Sequence, residues 1–184
     1  LFRSLSGMPW SSSPPLARSL LARWLTVGGS LSARLNRCAA GFHVQRQRQG
    51  RRPLPRHDLA LLRRHTARPM LGDQAGWSRE VLLRDEAQPL VAARSFALRQ
   101  STLSAWRSVK GLGQRPLADL LFTTRRVRRL PLTFQCVKPQ DALGRRLRKQ
   151  LGEHQALPLH ARIWARRSVF VRHGQPLVVE EYFL

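Results

Sequence analysis

Two pairs of runs that alternate apolar and polar residues limit what this chain can fold into. The first pair is Trp77–Arg84 and Leu90–Leu98, separated by the short polar stretch 85–89. The second pair is Leu159–Arg172 and Pro176–Leu184, joined across residues 173–175. Side chains of a β-strand alternate between its two faces, so each pair predicts a β-hairpin with an apolar face. An antiparallel sheet is therefore the expected centre of the fold.

Helical patterns gather between the strand pairs rather than alternating with single strands, which favours an α+β fold. Asp141–Gln155 is an amphipathic basic helix, because its leucines recur every four residues among arginines and a lysine. We expect its leucine stripe to dock on the domain. Residues 50–72 are predicted to cross the surface, with a short helix at 58–64. The other predicted helices cover residues 15–25, 30–41, 101–111 and 116–121, and the other predicted strands cover 42–49 and 127–137.

Net charge is the strongest feature of the composition, since 33 Lys plus Arg stand against 10 Asp plus Glu in 184 residues and give +23. Such an excess concentrates anions near the protein, so nucleic acid, an anionic membrane and an acidic metabolite are all compatible partners. Only Lys110, Lys138 and Lys149 are lysines, and uniform arginine enrichment can also reflect coding bias. Charge alone therefore does not identify the partner.

Other residue types narrow the class of protein. A hydrophobic content of 42% and five tryptophans favour one globular domain with a real core. The two cysteines, Cys38 and Cys136, are far apart and the six histidines lack metal-ligand spacing, which fits a reducing cytoplasm without a disulfide framework or a metal. No apolar run is long enough to span a bilayer. The first fifty residues lack acidic residues and are rich in Arg, Ser and Leu, a composition that a mitochondrial transit peptide can also have.

Arg79 breaks the pattern of the first strand, because it shares the apolar face with Trp77 and Val81. An unpaired guanidinium facing a core is costly, so Arg79 needs an anionic partner from the protein or from a ligand. Glu181 repeats the anomaly in the last strand, although alternation prefers it only weakly over Glu180 as the inward residue. Two interpretations stay open: a buried salt bridge between Arg79 and Glu181, or a pocket for a small anion that carries a hydroxyl or an ether.

Six short motifs follow one another along the chain: SREVLL, PLVAARS, STLS, GQRPLADLLFTT, WARRS and GQPLVVEEYFL. This series resembles the chorismate lyase family in content and order, from about Leu20 to the C-terminus. The resemblance implies a lyase that converts chorismate to 4-hydroxybenzoate and pyruvate, the first step of ubiquinone biosynthesis. It also implies a single antiparallel sheet whose helical flaps bury the aromatic product, with no metal or organic cofactor.

The resemblance also implies roles for individual residues. Arg79 matches the arginine that binds the ring carboxylate, and Glu181 matches the glutamate at the hydroxyl end of the product. Leu117 matches a leucine whose backbone N–H helps to hold the carboxylate. Leu31 replaces a methionine of the family's second helix, which preserves a backbone contact and changes the packing of the flap. Ala93 replaces a glycine before the arginine of the next strand, so we expect a slightly tighter pocket floor. In this picture Glu181 donates a proton or a hydrogen bond to the ether oxygen as it leaves.

We expect one domain over residues 1–184, with 1–14 flexible and 138–155 inserted relative to shorter members of the family. The basic face of the insertion is a candidate for weak contact with an anionic membrane. The protein is expected to be a monomer that acts in the bacterial cytoplasm and binds no nucleic acid. An imported mitochondrial enzyme is the alternative location.

Two other functions remain alternatives. The first is a non-catalytic ligand sensor, since the effector domains of one bacterial regulator family resemble the same fold. Such a regulator needs a winged helix-turn-helix ahead of the domain, and the N-terminal residues lack its pattern. The second is a basic protein that binds nucleic acid or a membrane surface, but it leaves Arg79 and Glu181 unexplained. The lyase is therefore the preferred hypothesis.

Overall fold

An antiparallel sheet of seven strands forms the centre of the described chain. The computed structural model describes residues 9–14, 20–67, 75–86, 88–152 and 162–184. The strands are β1 (Phe42–Pro53), β2 (Ala75–Asp85), β3 (Gln88–Leu98), β4 (Arg128–Arg129), β5 (Thr133–Val137), β6 (Ile163–Arg172) and β7 (Gln175–Phe183). Within these residues the strand order is β1-β2-β3-β7-β6-β4, and β5 also pairs with β6. Every pairing is antiparallel, as predicted.

Helices surround this sheet and complete an α+β fold, which confirms the predicted class. The α-helices of the described residues are α1 (Leu20–Leu25), α2 (Leu31–Cys38), α3 (Arg56–Arg64), α4 (Leu117–Thr123) and α5 (Ala142–Leu151). Two 3-10 helices cover Gln100–Leu103 and Arg107–Gly111. Parts of several predictions fall on residues 1–8, 15–19, 68–74, 87 and 153–161, which lie outside the described residues.

Both predicted hairpins are confirmed. β2 pairs with β3, and β6 pairs with β7. The second hairpin turns on His173 and Gly174, whose φ angles of 49° and 70° suit the two left-handed positions of a type I′ turn. β7 also pairs with β3, so the two hairpins join into one sheet. Arg79 and Glu181 therefore lie in the same sheet, on strands separated only by β3.

One side of the sheet, which we call the Arg79 face because it carries that residue, is covered by α2 and α4. Leu31 of α2 belongs to the same buried cluster as Val81 of β2. Leu117 of α4 is buried in a cluster with Val179 of β7. The apolar stripes of two helices thus rest on the apolar positions of alternating strands, as the sequence pattern predicts.

The other side, which we call the Glu180 face, is covered by α3 and α5. Leu62 of α3 packs in a cluster with Val178 of β7. Leu147 of α5 is buried in a cluster with Tyr182 of the same strand, so the predicted docking of the basic helix by its leucine stripe is confirmed. Because helices lie on both sides, residues of both faces are buried.

Three predicted segments differ from the structure. Residues 101–111 form two 3-10 helices instead of one helix, because the backbone of Ser104 leaves helical angles at φ −129° and ψ −103°. Residues 127–137 form β4 and β5 instead of one strand, with Pro131, which has no N–H for a ladder, between them. Residues 50–72 are not simply a surface connection. β1 extends to Pro53, and α3 packs on the sheet with Asp58 fully buried.

Candidate functional site

A cavity lies between the Arg79 face and the helices α2 and α4. It encloses about 600 Å³ of space between atoms, including its opening to solvent. The four predicted site residues, Leu31, Arg79, Leu117 and Glu181, all line it. Their apolar neighbours in the lining include Val44, Val81, Leu83, Leu121, Phe170 and Val179. Strand alternation, together with the family resemblance, thus selected residues that share one site, while the role of each stays a prediction.

Two rows of side chains cross the sheet under the cavity. In the strand order β2, β3, β7 and β6, the first row is Arg79, Ser95, Val179 and Ser168, and the second is Val81, Ala93, Glu181 and Arg166. Neighbouring strands are about 4.8 Å apart, so Arg79 and Glu181 start about 10 Å apart across the sheet and are offset along it by one row. A guanidinium and a carboxylate therefore stand at different corners of one apolar space.

Arg79 is almost fully buried, with 2% of its surface exposed. Its Nη2 donates to the carbonyl oxygens of Gly113 and Arg115 at 3.1 and 2.9 Å. Gly113 has a φ of +57°, a left-handed conformation that costs glycine little. Burial first, and the charge of Arg46 second, lower the pKa of Arg79 to about 10, so the group is still charged at neutral pH. The buried Nε–H has no hydrogen-bond partner among the described residues, which leaves a charged donor for a ligand.

Glu181 pairs with Arg166 and not with Arg79. Its Oε2 accepts a hydrogen bond from Nε of Arg166 at 2.5 Å. Nη1 of Arg166 donates at 3.3 Å to each of three carbonyl oxygens between Trp24 and Val27, at the end of α1. The interpretation of Arg79 and Glu181 as a structural salt bridge is therefore wrong. Oε1 of Glu181 has no hydrogen-bond partner within the described ranges, so it is available to a ligand.

Leu31 and Leu117 begin the two helices that cover the cavity. Ser30 caps α2, since its hydroxyl accepts from the N–H of Ala33 at 2.9 Å. Pro116 precedes α4, a position where the missing N–H of proline is harmless. The first N–H groups of a helix have no acceptor within it. The N–H of Leu117, which lines the cavity, therefore has no acceptor within its own helix.

The Glu180 face carries a buried network of charges. Glu180 is fully buried and accepts hydrogen bonds from Nη2 of Arg167 at 2.7 Å and from the hydroxyl of Tyr182 at 2.9 Å. Burial raises the pKa of Glu180, but the surrounding guanidinium charges outweigh it and lower that pKa overall. Nη2 of Arg94 pairs with Asp58 at 2.6 Å. The sequence predicts weakly that Glu181 is the inward glutamate of the pair. In the structure both glutamates face inward, each toward a different layer of helices.

The polar groups that line the cavity are guanidinium, hydroxyl and carboxylate groups. No three His, Cys, Asp or Glu side chains in the part of the chain that the structure describes lie close enough together to hold a metal ion. Among the same residues, no helix combines the length and apolar character needed to cross a membrane.

Comparison with known proteins assigns the chain to a family. The family model described as "Chorismate lyase" matches residues 5–184. The chain belongs to the chorismate lyase family. A relative from Azoarcus sp. (strain BH72), named "Probable chorismate pyruvate-lyase", is 37% identical over 181 residues, which cover 97% of this chain and 92% of that protein. A relative of the same name from Aromatoleum aromaticum (strain EbN1) is 38% identical over 180 residues, covering 95% and 91%.

A solved structure from another class of protein has a similar fold. It is the ligand-binding domain of a GntR-family transcriptional regulator from Bordetella bronchiseptica, with a TM-score of 0.50 and 12% sequence identity. The match covers 78% of this chain and 84% of that one. At this level of identity the likeness concerns the fold alone, and it agrees with the single antiparallel sheet of the chorismate lyase family member described here.

Arg129 also lines the cavity, although no motif in the sequence predicts it as a site residue. Its Nε and Nη2 donate to the hydroxyl of Ser168 at 3.1 and 2.7 Å, and its Nη1 makes a long contact of 3.5 Å with the carbonyl of Gly29. Burial first, and the neighbouring charge of Arg166 second, lower the pKa of Arg129. No sequence signal separates this arginine from the many others, because its position depends on β4 joining the edge of the sheet.

Proposed function

We propose that the protein is a chorismate lyase that converts chorismate to 4-hydroxybenzoate and pyruvate, the first step of ubiquinone biosynthesis. The observation that carries this proposal is the buried guanidinium of Arg79, which has a free Nε–H and no carboxylate partner among the described residues. It stands in an apolar cavity that also contains a carboxylate. Membership of the chorismate lyase family and the names of the relatives support the same reaction.

In the proposed complex, Arg79 binds the ring carboxylate through its free Nε–H, and the N–H of Leu117 adds a second donor. A guanidinium presents a planar set of donors that an ammonium group does not reproduce. Leu31 supplies apolar contact from the helix above. Oε1 of Glu181 accepts a hydrogen bond from the ring hydroxyl. Because Arg166 already donates to Oε2 of Glu181, Oε1 is the oxygen left to accept from the hydroxyl.

The proposed reaction breaks the C–O bond between the ring and the enolpyruvyl oxygen. A ring proton is transferred to the methylene carbon of the enolpyruvyl group, the ring becomes aromatic and keeps its hydroxyl, and the ether oxygen leaves in pyruvate. Aromatisation supplies most of the driving force. The protein therefore has mainly to hold a reactive conformer and to stabilise charge, which is a task of positioning and of preorganised donors.

The test is to incubate the purified protein with chorismate and to measure 4-hydroxybenzoate by chromatography and pyruvate with a coupled dehydrogenase. We expect equal molar amounts of both products. Arg79→Ala should lower kcat/KM by at least about 100-fold, because a charge-assisted pair is lost from a dry site. Arg51→Ala, an exposed arginine on β1, is the matched control and should retain activity. A wild-type protein that binds chorismate without converting it would instead support the sensor.

The proposal includes a monomeric enzyme in the bacterial cytoplasm that uses no metal or organic cofactor and does not bind nucleic acid. The bacterial sources of the relatives support this compartment rather than the mitochondrion. Activity that survives extensive treatment with a chelator, and a single monomeric species in light scattering, are the expected results. Loss of activity that added metal restores, or a stable dimer, would contradict these parts of the proposal.

A further inference from the structure

Four arginines border the cavity, and only two of them pair with a carboxylate. Arg166 pairs with Glu181, and the guanidinium of Arg94 pairs with an aspartate of α3 on the Glu180 face. Arg79 and Arg129 donate only to carbonyl and hydroxyl oxygens of the described residues. The cavity therefore contains two positive charges that no described carboxylate pairs with.

A site with two unpaired guanidinium groups favours a ligand with two negative charges, because each buried cation is stabilised by an anion that replaces its lost hydration. Chorismate has one carboxylate on the ring and another on the enolpyruvyl group, whereas 4-hydroxybenzoate has only the first. Arg79 is the proposed partner of the ring carboxylate. We infer that Arg129 binds the enolpyruvyl carboxylate of the substrate, an inference that rests on the proposed function.

The geometry of Arg129 suits this role. Ser168 holds one edge of the guanidinium by accepting from both Nε and Nη2. Nη1 makes only the long contact with the carbonyl of Gly29, so it is the nitrogen most readily available to donate to a ligand. Ser168 and Arg79 share one row of the sheet, three strand spacings or about 14 Å apart at their Cα atoms. Arg129 lies one strand beyond Ser168, on β4, and its side chain extends back to the hydroxyl of Ser168. The cavity between its guanidinium and that of Arg79 has room for a small dicarboxylate.

The two products of the proposed reaction each keep one carboxylate of chorismate. When the ether bond breaks, the ring carboxylate stays with 4-hydroxybenzoate and the second carboxylate leaves with pyruvate. Substrate binding therefore depends on both Arg79 and Arg129, whereas binding of the aromatic product involves only Arg79 of these two arginines. A substitution at Arg129 should separate the two affinities.

The experiment measures binding by calorimetry with two stable ligands that differ in one carboxylate. The first is 3-(carboxymethoxy)-4-hydroxybenzoate, and the second is 4-hydroxy-3-methoxybenzoate. We expect wild-type protein to bind the dicarboxylate at least about tenfold more tightly, and Arg129→Gln to remove that difference. Affinity for the methoxy ligand should change less than about threefold. Arg128→Gln, which alters the exposed neighbour on β4, is the matched control and should leave both affinities unchanged.

Equal affinity of the wild-type protein for the two ligands would overturn the inference. So would an equal loss of affinity for both ligands in Arg129→Gln, or the same loss of preference for the dicarboxylate in Arg128→Gln. If Arg129→Gln does not fold, the wild-type comparison still decides, and Arg129→Lys should keep part of the preference because it keeps the charge. None of these measurements requires turnover. A protein that prefers the dicarboxylate but does not convert chorismate would refute the lyase and retain the role of Arg129.

Discussion

Glu180 and Glu181 are consecutive glutamates with different surroundings. Glu180 has no exposed surface and is held by Arg167 and Tyr182. Glu181 lines the cavity, pairs with Arg166 through one oxygen, and has 12% of its side chain exposed. Strand alternation places the two carboxylates on opposite faces. One therefore stabilises the sheet, and the other is available for the chemistry of the cavity.

We predict that substitutions of the two glutamates differ in their effect on catalysis. Glu181→Gln should lower kcat by about 100-fold or more, because the charged acceptor at the hydroxyl end of the ligand is lost. It should also lower the free energy of unfolding, because the buried guanidinium of Arg166 loses its carboxylate and keeps only carbonyl acceptors. Glu180→Gln should lower the free energy of unfolding by about 3 kcal/mol, because it leaves buried guanidinium groups without a carboxylate. Steady-state kinetics and urea unfolding of the two variants check this.

The two variants serve as controls for each other, since they change adjacent residues in the same way. The kcat of folded Glu180→Gln protein should stay within about threefold of wild type, because the side chain of Glu180 lies on the opposite side of the sheet from the cavity. A folded Glu180→Gln protein without activity, alongside an active Glu181→Gln, would contradict the assignment of Glu181.

At the scale of residues, alternation identifies Arg79 but not Arg129. Arg79 stands in a long regular strand, so its face follows from the positions of Trp77 and Val81. Arg129 belongs to a strand of two residues, and Pro131 ends any regular alternation just beyond it. Its place in the cavity depends on pairing with β6, which lies more than thirty residues later in the chain and is not encoded locally.

At the scale of elements, α3 is fastened to the sheet by a buried ion pair. Asp58 in its first turn is fully buried and pairs with Arg94 of β3 at 2.6 Å. Burial alone raises the pKa of Asp58, but His57 and the charge of Arg94 outweigh it and lower the pKa from 3.8 to about 2. The carboxylate form is therefore part of the folded state.

This ion pair predicts a dependence of stability on pH. The pKa of Asp58 is lower in the folded than in the unfolded state, so its contribution is complete above about pH 4 and is lost as the pH falls toward 2. The difference corresponds to about 2 kcal/mol in the free energy of unfolding. Urea unfolding at pH values from 7 down to 2.5 should show that Asp58→Asn loses less stability on acidification than wild type.

Asp119→Asn is the control for this series, because Asp119 is exposed on α4. Its stability should follow that of wild type across the whole pH range. Parallel pH profiles for wild type and Asp58→Asn would contradict a depressed pKa for Asp58 and would leave packing as the main attachment of α3.

The sequence predicts only some of the contacts by which helix α5 packs on the sheet. The spacing of Leu147 and Leu151 predicts an apolar stripe, and both residues are buried against the sheet. Gln150 lies beside them and donates to the carbonyl oxygens of Val81 and Ala93 at 2.9 and 3.1 Å. Helical periodicity finds the leucines, but the acceptors of Gln150 are defined only once β2 and β3 have paired beneath the helix.

At the scale of the whole molecule, the charge of +23 is concentrated in places as well as spread over the surface. One groove between β1 and α5 is lined by five basic side chains, Arg48, Arg52, Arg145, Arg146 and Lys149, and by a single acidic one, Glu80. Such a groove attracts anionic surfaces at low ionic strength. It includes part of the segment 138–155, for which the sequence predicts weak contact with an anionic membrane.

We predict that the protein sediments with vesicles that contain phosphatidylglycerol and not with vesicles of phosphatidylcholine alone. Two basic side chains near a membrane surface contribute about 1 kcal/mol each at low salt, so the double change Arg145→Gln with Lys149→Gln should weaken this binding by about tenfold or more. Both residues are exposed, and their replacement should leave the fold and the turnover of chorismate unchanged.

The matched control changes two other exposed arginines, Arg107→Gln with Arg125→Gln. This pair removes the same charge away from α5 and should have a smaller effect on sedimentation. An equal loss in both double variants would show that binding follows net charge alone, and the absence of binding in wild type would remove the membrane contact altogether.

The sequence by itself determined the antiparallel hairpins, the amphipathic helices and the apolar face on which Arg79 lies, because periodicity is a local property of the chain. The family resemblance supplied Leu31 and Leu117 and the choice of Glu181. Only the tertiary structure decided which charges meet. Glu181 pairs with Arg166 because their strands are neighbours, Arg79 is left with carbonyl acceptors, and Arg129 reaches the same cavity from the edge of the sheet. Partners of buried charges are set by the register of strands that are distant in sequence, and no local pattern contains that register.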